Sequence, residues 1–168
     1  MNKKKGLFIS FEGPEASGKS SQILLLQKYL TTKKISFITT REPGGTKLAE
    51  SLRNLILKIK SDINIDEEIL MLMAARSHHI NNVIKPALDK GNLVISDRFA
   101  DSTFVYQGYV NNFGIQKAKS LHKNILNNFL PHKTFLFNLS SSKIIARLKK
   151  RKSKNKYDKL ERNFHDQV

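Results

Sequence analysis

Apolar positions along the chain change period several times, and each change predicts an element. The run "LFIS" from Leu7 is short and bounded by a glycine turn, which predicts a buried strand. "SSQILLLQKYL", from Ser20 to Leu30, carries helical periodicity. "SFITT", Ser36 to Thr40, predicts a second strand, "REPGGT" a turn, and "KLAESLRNLILKI" an amphipathic helix. "IDEEILMLMAARSHHINNVIKPALDKG" opens with acidic residues near Asp66 and stops at Gly91, both helix-end signals, with Pro86 expected to kink or break it. "NLVIS" predicts a third strand running into Asp97-Arg98, followed by further helix to Phe129. "KTFLFNL" predicts a fourth strand, and "SSKIIARLKKRKS" a serine-capped helix that passes into a charged, glycine-free stretch. Strand and helix alternate four times. That order predicts an α/β protein of three layers, a parallel sheet with helices on both faces.

Composition narrows this frame. A chain of 168 residues with 39% hydrophobic content suits one domain with its own core, residues 1–168. It has no cysteine, so disulfides and thiolate metal sites are excluded. The basic N-terminus "MNKKKGLFISFEG" has an apolar run too short for a signal sequence, and no window approaches a membrane-spanning length. These features fit a cytoplasmic protein with no membrane partner. The net charge is +16, which favours anionic partners. Ten of the lysines and arginines lie between Lys143 and Arg162 against Asp158 and Glu161, so half of the excess, +8, sits in one segment.

The turn after the first strand carries the strongest chemical signal. In "FEGPEASGKSSQ", Gly13, Gly18, Lys19 and Ser20 satisfy G-x-x-x-x-G-K-[ST], with a strand before and a helix after. The loop as a whole, Gly13, Pro14, Glu15, Ala16, Ser17, Gly18, Lys19, Ser20 and Ser21, is expected to cradle the phosphates of a nucleoside triphosphate. Glycines let successive backbone N–H groups face an anion at a helix N-terminus. Lys19, expected on an exposed loop, reaches the β and γ phosphates, and the Ser20 hydroxyl ligates Mg²⁺. A GTPase, an ATPase and a kinase are all compatible with the loop alone. The guanine-specific pattern N-K-x-D occurs only by letter, as "NKYD" inside the basic stretch and not after a strand. Transfer to a small acceptor would need a second set of cations, and Arg41, Arg53, Arg76 and Arg98 offer it.

Further motifs fall in a recognisable order. "TREPGGT" follows the second strand, "AAR" lies on the third helix, and "DRFADSTFVYQG" follows the third strand. With the phosphate loop, they make the chain resemble bacterial thymidylate kinases from about Leu7 to the last residue. The resemblance implies phosphoryl transfer from ATP to dTMP with Mg²⁺, giving dTDP and ADP, by a homodimer whose contact face would be the apolar helix from Ile69 to Ile84. Residue by residue, it implies that Glu15 faces the sugar 3′-hydroxyl of dTMP and that Arg98 bridges acceptor and donor phosphates. Arg53 would hold the acceptor phosphate, with Arg41 beside it. Glu42 would lie near the metal and the acceptor. Arg76 and Gln107 would read the thymine edge, and Ser102 and Tyr106 would pack against the base and the deoxyribose C2′. Asp97, at the end of a strand, is the expected Mg²⁺ carboxylate together with Ser20 and Glu42. The phosphate loop has no arginine, which resembles the family's second class and assigns the lid cation to Arg147 or Arg151, in a basic lid at about residues 147–160.

Three positions depart from the family pattern. Leu72 stands where a phenylalanine usually stacks on thymine, Lys159 stands where arginine usually follows an aspartate, and the chain ends at Val168, one strand and one helix short. The resemblance therefore predicts an exposed sheet edge and an incomplete adenine pocket. Two alternatives compete: a related nucleoside or deoxynucleoside monophosphate kinase of different base choice, and an inactive basic nucleic-acid-binding protein on the same fold. Nucleic acid is disfavoured, because the aromatic residues do not interleave with the basic run.

Overall fold

The computed structural model describes residues 5–58, 62–150, 157 and 166–167. Four strands form its frame: β1 (Phe8–Glu12), β2 (Phe37–Arg41), β3 (Leu93–Asp97) and β4 (Lys133–Leu136). They pair in parallel in the order β2-β3-β1-β4. The helices are α1 (Lys19–Thr32), α2 (Lys47–Leu57), α3 (Ile65–His79), α4 (Lys85–Asp89), α5 (Ala100–Thr103), α6 (Ile115–Leu126) and α7 (Ser141–Lys149). The expected three-layer α/β architecture is present. Among the described residues no helix is long and apolar enough to cross a membrane.

β1 is buried along its whole length, as a central parallel strand must be. Its side chains alternate between two cores. Phe8 joins Val94, Phe99, Ile69, Met73 and Ile84 on one face, while Ile9 and Phe11 join Ile95, Ile23 and Leu30 on the other. β4, in contrast, is an edge strand, with Phe135 49% and Leu136 73% exposed. It is apolar by sequence yet solvent-facing, because β1 is its only strand neighbour among the described residues.

Three local expectations are corrected. The long helical run ending at Gly91 breaks before Pro86 rather than at it, through a π-helical turn at Ile80–Ile84. A proline ring collides with the carbonyl four residues earlier, here Asn82, which lies inside that turn. The helical run after Arg98 is not continuous to Phe129. It passes through a second π-helical segment, Phe104–Val110, then stops, and α6 starts at Ile115 after the cap residue Gly114, whose φ is 101°. Serine capping of α7 is absent: Ser140 occupies the cap position, but its hydroxyl pairs with that of Ser142 at 3.2 Å.

α3 begins with a capping box. Asn64 Oδ1 accepts from the Glu67 amide, and the Asn64 amide donates to Glu67 Oε2, both at 2.9 Å. Asn64→Ala should lower stability by about 1 kcal/mol while leaving catalytic constants unchanged. Urea unfolding followed by circular dichroism, alongside steady-state kinetics on the same preparation, checks both halves.

Candidate active site

Parallel strands point their C-terminal ends the same way, and the charged residues that close them gather at one edge. Glu12 ends β1, Arg41 ends β2 and Asp97 ends β3. Register places Asp97 beside Phe11 and Arg41 beside Asp97. A cleft of about 660 Å³ opens there.

The phosphate loop runs from β1 to α1. Gly13 has φ 136° and packs against the Phe137 backbone, and Gly18 caps α1 at φ 104°, both conformations that favour glycine. Residues Glu15 to Ser21 line the cleft. Gly13 and Pro14 instead turn their carbonyls toward Lys19, whose Nζ donates to Gly13 O at 2.9 Å, Pro14 O at 2.7 Å and Ser17 Oγ at 3.3 Å. Lys19 is therefore not on an exposed loop, as the sequence suggested. It is 6% exposed and folded into its own turn. Burial, reinforced by the nearby Arg98 charge, lowers its pKa to about 8. Arg147 of α7 reaches the loop from the other side, donating to Ala16 O at 2.9 Å. Arg151 and Lys159 lie outside the described residues, as does most of the expected lid.

Arg98 joins the loop to the end of β3. Its backbone has φ 71°, and its amide continues the sheet by donating to Phe11 O. Its guanidinium donates to Glu15 Oε1 and Ser102 Oγ, each at 2.9 Å, and to the Tyr106 hydroxyl at 3.3 Å. Burial, the largest single influence, works against this charge. Tyr106, Glu15, Glu12 and Asp97 outweigh it and hold the proton more tightly than in a free arginine. The Tyr106 phenol donates to Glu15 Oε2 at 2.5 Å, and burial pushes its pKa well up against the pull of Arg98. Glu12 lies beneath this group. It accepts from the Phe99 amide and from Ser102 Oγ, both at 2.6 Å. Burial raises its carboxyl above the usual value despite the Ser102 hydrogen bond and the Arg98 charge.

A second cluster flanks the cleft at the "REPGG" turn. Glu42 is 3% exposed and has both oxygens engaged. Oε2 accepts from Arg76 Nε at 2.5 Å and Oε1 from His79 Nδ1 at 2.9 Å. In the neutral ring, His79 Nε2 then accepts from the Thr40 hydroxyl at 2.6 Å. A Cβ on Gly45, whose φ is 83°, would run into the His79 ring and Thr40. Arg76 Nη2 donates to Thr103 Oγ1 at 2.8 Å and Phe99 O at 3.2 Å, while Nη1 is buried without a partner among the described residues. Arg53 donates to Pro43 O at 2.8 Å, and burial, then the Arg41 charge, lowers its pKa. Arg41 pairs with Glu50 at 2.8 Å on the exposed rim. Leu72, 5% exposed, and Ile56 form an apolar wall of the cleft, with Gln107 and Tyr157 also lining it.

The cleft thus brings together every expected site residue that is described except Gly13 and Pro14, which shape the loop from behind. Its cations are Lys19, Arg41, Arg53, Arg76, Arg98, Arg147 and Lys150, against the carboxylates Glu15, Glu42 and Asp97. Ser20 Oγ donates to Asp97 Oδ2 at 2.8 Å, so one hydroxyl and one carboxylate already converge. Among the described residues no group of three or more acidic, histidine or cysteine side chains gathers as an all-protein metal cage. A hydroxyl and one carboxylate suit Mg²⁺, which retains waters and takes its remaining ligands from phosphates. Glu42 fits that set less well, because both its oxygens already accept.

Sequence reasoning missed Tyr157, which lines the cleft, and three buried residues that hydrogen-bond to its lining side chains: Glu12 to Ser102, Glu68 to Gln107 and His79 to Glu42. Glu12 was readable as the carboxylate that closes the apolar run just before the first loop glycine. Glu68 and His79 fall on the α3 face that carries Leu72 and Arg76, at helical spacing. Tyr157 had no local signal.

A phosphate loop on a parallel sheet, facing a second cluster of arginines across one cleft, defines a kinase of small phosphorylated acceptors. The thymidylate kinase family model matches residues 11–168. The chain is 41% identical over 166 residues to a thymidylate kinase of Ruthia magnifica, covering 98% of this chain and 81% of that protein. It is 43% identical over 167 residues to one of Gluconobacter oxydans, covering 98% and 78%. The solved thymidylate kinase of Ehrlichia chaffeensis superimposes with a TM-score of 0.73 at 36% identity, over 85% of this chain and 82% of that one. The chain belongs to the thymidylate kinase family.

The lowered pKa of Lys19 gives two pH signatures. In the free enzyme, kcat/KM for ATP should fall as pH rises through about 8, when Lys19 loses its charge. Stability should run the other way. The unfolded chain holds this proton more tightly, with an ordinary pKa of 10.5, so Lys19 weakens the fold below about pH 8 and that penalty fades between about 8 and 10.5. Rate profiles from pH 6 to 10, paired with the same profiles of thermal stability for wild type and Lys19→Met, would show an alkaline limb in the first and a difference between the two proteins in the second.

Proposed function

We propose that the protein transfers the γ-phosphoryl group of ATP to dTMP, giving dTDP and ADP. The observation that carries this reading is one cleft with two cationic walls. Lys19 and Arg147 lie at the phosphate loop, Arg53 and Arg76 on the opposite wall, and Arg98 between them. Two anions can be held there with their reacting atoms facing each other, and positioning of this kind supplies most of the catalysis in phosphoryl transfer.

The loop amides and Lys19 bind the donor phosphates. As phosphate arrives, Lys19 exchanges carbonyl contacts for oxyanions, which favours its charged form. Ser20 and Asp97 would hold Mg²⁺, which supplies charge neutralisation of the donor phosphates when bound. Arg53 holds the acceptor phosphate, and Arg98, fixed by Glu15 and Ser102, lies where charge develops between the two nucleotides. Glu15 and Tyr106 form a hydrogen-bonded pair at the sugar position. A ribose 2′-hydroxyl would crowd this pair, which favours deoxyribose. Leu72 and Ile56 supply the apolar surface for the base. Arg147 brings a lid cation to the loop, and we assign lid function to the basic segment that follows it. We place the enzyme in the cytoplasm as a homodimer formed through the α3 face, where Leu70 is 55% exposed.

A coupled assay with MgATP and a panel of dTMP, dUMP and UMP tests this reading. dTMP should exceed dUMP by no more than roughly 10–200-fold in kcat/KM, the range of about 1–3 kcal/mol for a single methyl group, and UMP should be the poorest acceptor. Lys19→Ala should lower kcat by about 10²-fold or more. Equal use of UMP and dTMP, or a Lys19→Ala variant of near wild-type rate, would sink the assignment.

A further inference from the structure

The two ends of the Gln107 side chain are not equivalent in this site. Nε2 donates to Glu68 Oε1 at 2.6 Å and to the Tyr157 hydroxyl at 3.0 Å. The Tyr157 hydroxyl donates to the same Glu68 oxygen at 2.6 Å. All three residues are buried. Glu68 Oε1 accepts both of these hydrogen bonds, so the group facing it is the amide NH₂ and not its oxygen. The phenol has given its hydrogen to Glu68, so toward Gln107 it too can only accept. Burial, then Glu68, raises the Tyr157 pKa well above the ordinary value, which keeps that phenol protonated. Nε2 is therefore turned toward Glu68 and Tyr157, and Oε1 is the atom left for a ligand. Gln107 and Tyr157 line the cleft, while Glu68 is not among its lining residues.

Glu68, Leu72 and Arg76 follow at four-residue intervals on α3 and share one face. Arg76 offers the complementary group, the buried Nη1 donor that has no partner among the described residues. The wall thus holds one fixed acceptor and one fixed donor. A pyrimidine with a ring N–H beside a keto oxygen matches this pair. A pyrimidine with a bare ring nitrogen beside an amino group presents the reverse pattern and leaves buried groups unpaired.

We propose that Glu68 is a specificity-determining positioning residue: by fixing the Gln107 amide so that only its oxygen faces the cleft, it selects imide pyrimidines over aminopyrimidines. This rests on the thymidylate reading of the cleft given above. Glu68 itself does not touch the base. It acts through Gln107, with the Tyr157 hydroxyl as a second acceptor on the Nε2 side.

dUMP and dCMP isolate the effect, because their bases differ only in the keto or amino group and in the ring proton beside it. Glu68→Gln places behind Gln107 a side chain that donates as well as accepts, so the Gln107 amide can turn either way. The ratio of kcat/KM for dUMP over dCMP should then fall at least about tenfold. Glu68→Asp still presents an acceptor-only group and should stay within about threefold of the wild-type ratio. An unchanged ratio in Glu68→Gln, with dTMP still phosphorylated, overturns the inference, and so does an equal loss in Glu68→Asp. Failure of the wild-type protein to phosphorylate dTMP would sink the thymidylate reading instead. If Glu68→Gln does not fold, glutamine-selective ¹⁵N spectra of the wild-type protein decide the matter. The Gln107 NH₂ protons should be protected from exchange in the free protein and remain so with dTMP. Unprotected protons that become protected only with dTMP would show donation to the base and overturn it.

Discussion

The site depends on one guanidinium held largely out of water. Arg98 is 18% exposed, and a charge there is tolerated only if carboxylates and hydrogen-bond acceptors surround it. Glu15 comes from the phosphate loop, Ser102 and Tyr106 from the segment after β3, and Glu12 from the end of β1. Satisfying Arg98 therefore draws two separate stretches of chain, Glu12 to Glu15 and the segment after β3, to one point. The same requirement accounts for an acidic residue in a loop built for anions. Glu15 would repel phosphates on its own, but paired with Arg98 at 2.9 Å it is part of a near-neutral group.

The "REPGG" turn is tied down in the same way. Glu42 carries a buried charge matched by Arg76, and His79 takes its second oxygen. His78 adds a hydrogen-bond contact with Thr46 at 3.0 Å. Two neighbouring histidines on α3 thus hold one turn by its carboxylate and by the residue that caps α2. Breaking a buried pair leaves a charge without compensation, which costs far more than the pair itself contributes. The turn is consequently rigid, and Arg53, which donates to Pro43 O, inherits a fixed starting position.

Much of this was legible in the sequence, for identifiable reasons. Parallel strands buried on both faces read as short apolar runs, and the phosphate loop has four fixed positions in a fixed context. The first three strand ends were read short, by two residues at Ser10 and by one at Thr40 and Ser96, because the apolar pattern weakens where polar and charged residues begin. The structure extends those strands to Glu12, Arg41 and Asp97, the residues that serve the site. The break between the π-helical segment and α6 was hidden because Asn111 to Gly114 follow a run whose composition suits helix. The network around Gln107 could not be read, since Tyr157 and Glu68 are 89 positions apart and nothing local links them.

A protein that binds its ligand through buried polar groups must choose between satisfying them in the free state and keeping them ready. Here both solutions occur side by side. Lys19 is satisfied by its own loop, through two carbonyls and a hydroxyl, and under the proposed function would give these up when phosphate arrives. That exchange lowers the gain from binding but keeps the loop folded without ligand. Arg76 Nη1 has no partner among the described residues, at a standing cost of about 1–3 kcal/mol for an unsatisfied buried donor. A ligand acceptor that meets it recovers this energy on binding, with no protein contact to break first. Donor phosphates are common to every nucleoside triphosphate and need little discrimination, so a self-satisfied lysine suffices there. Base choice needs discrimination, and an unpaired donor held rigid by Glu42, Phe99 and Thr103 penalises any ligand that fails to match it. On the proposed reading of the cleft, Leu72 in place of a flat aromatic ring would reduce contact with the base face. The polar edge of the pocket must then carry a larger share of the selection.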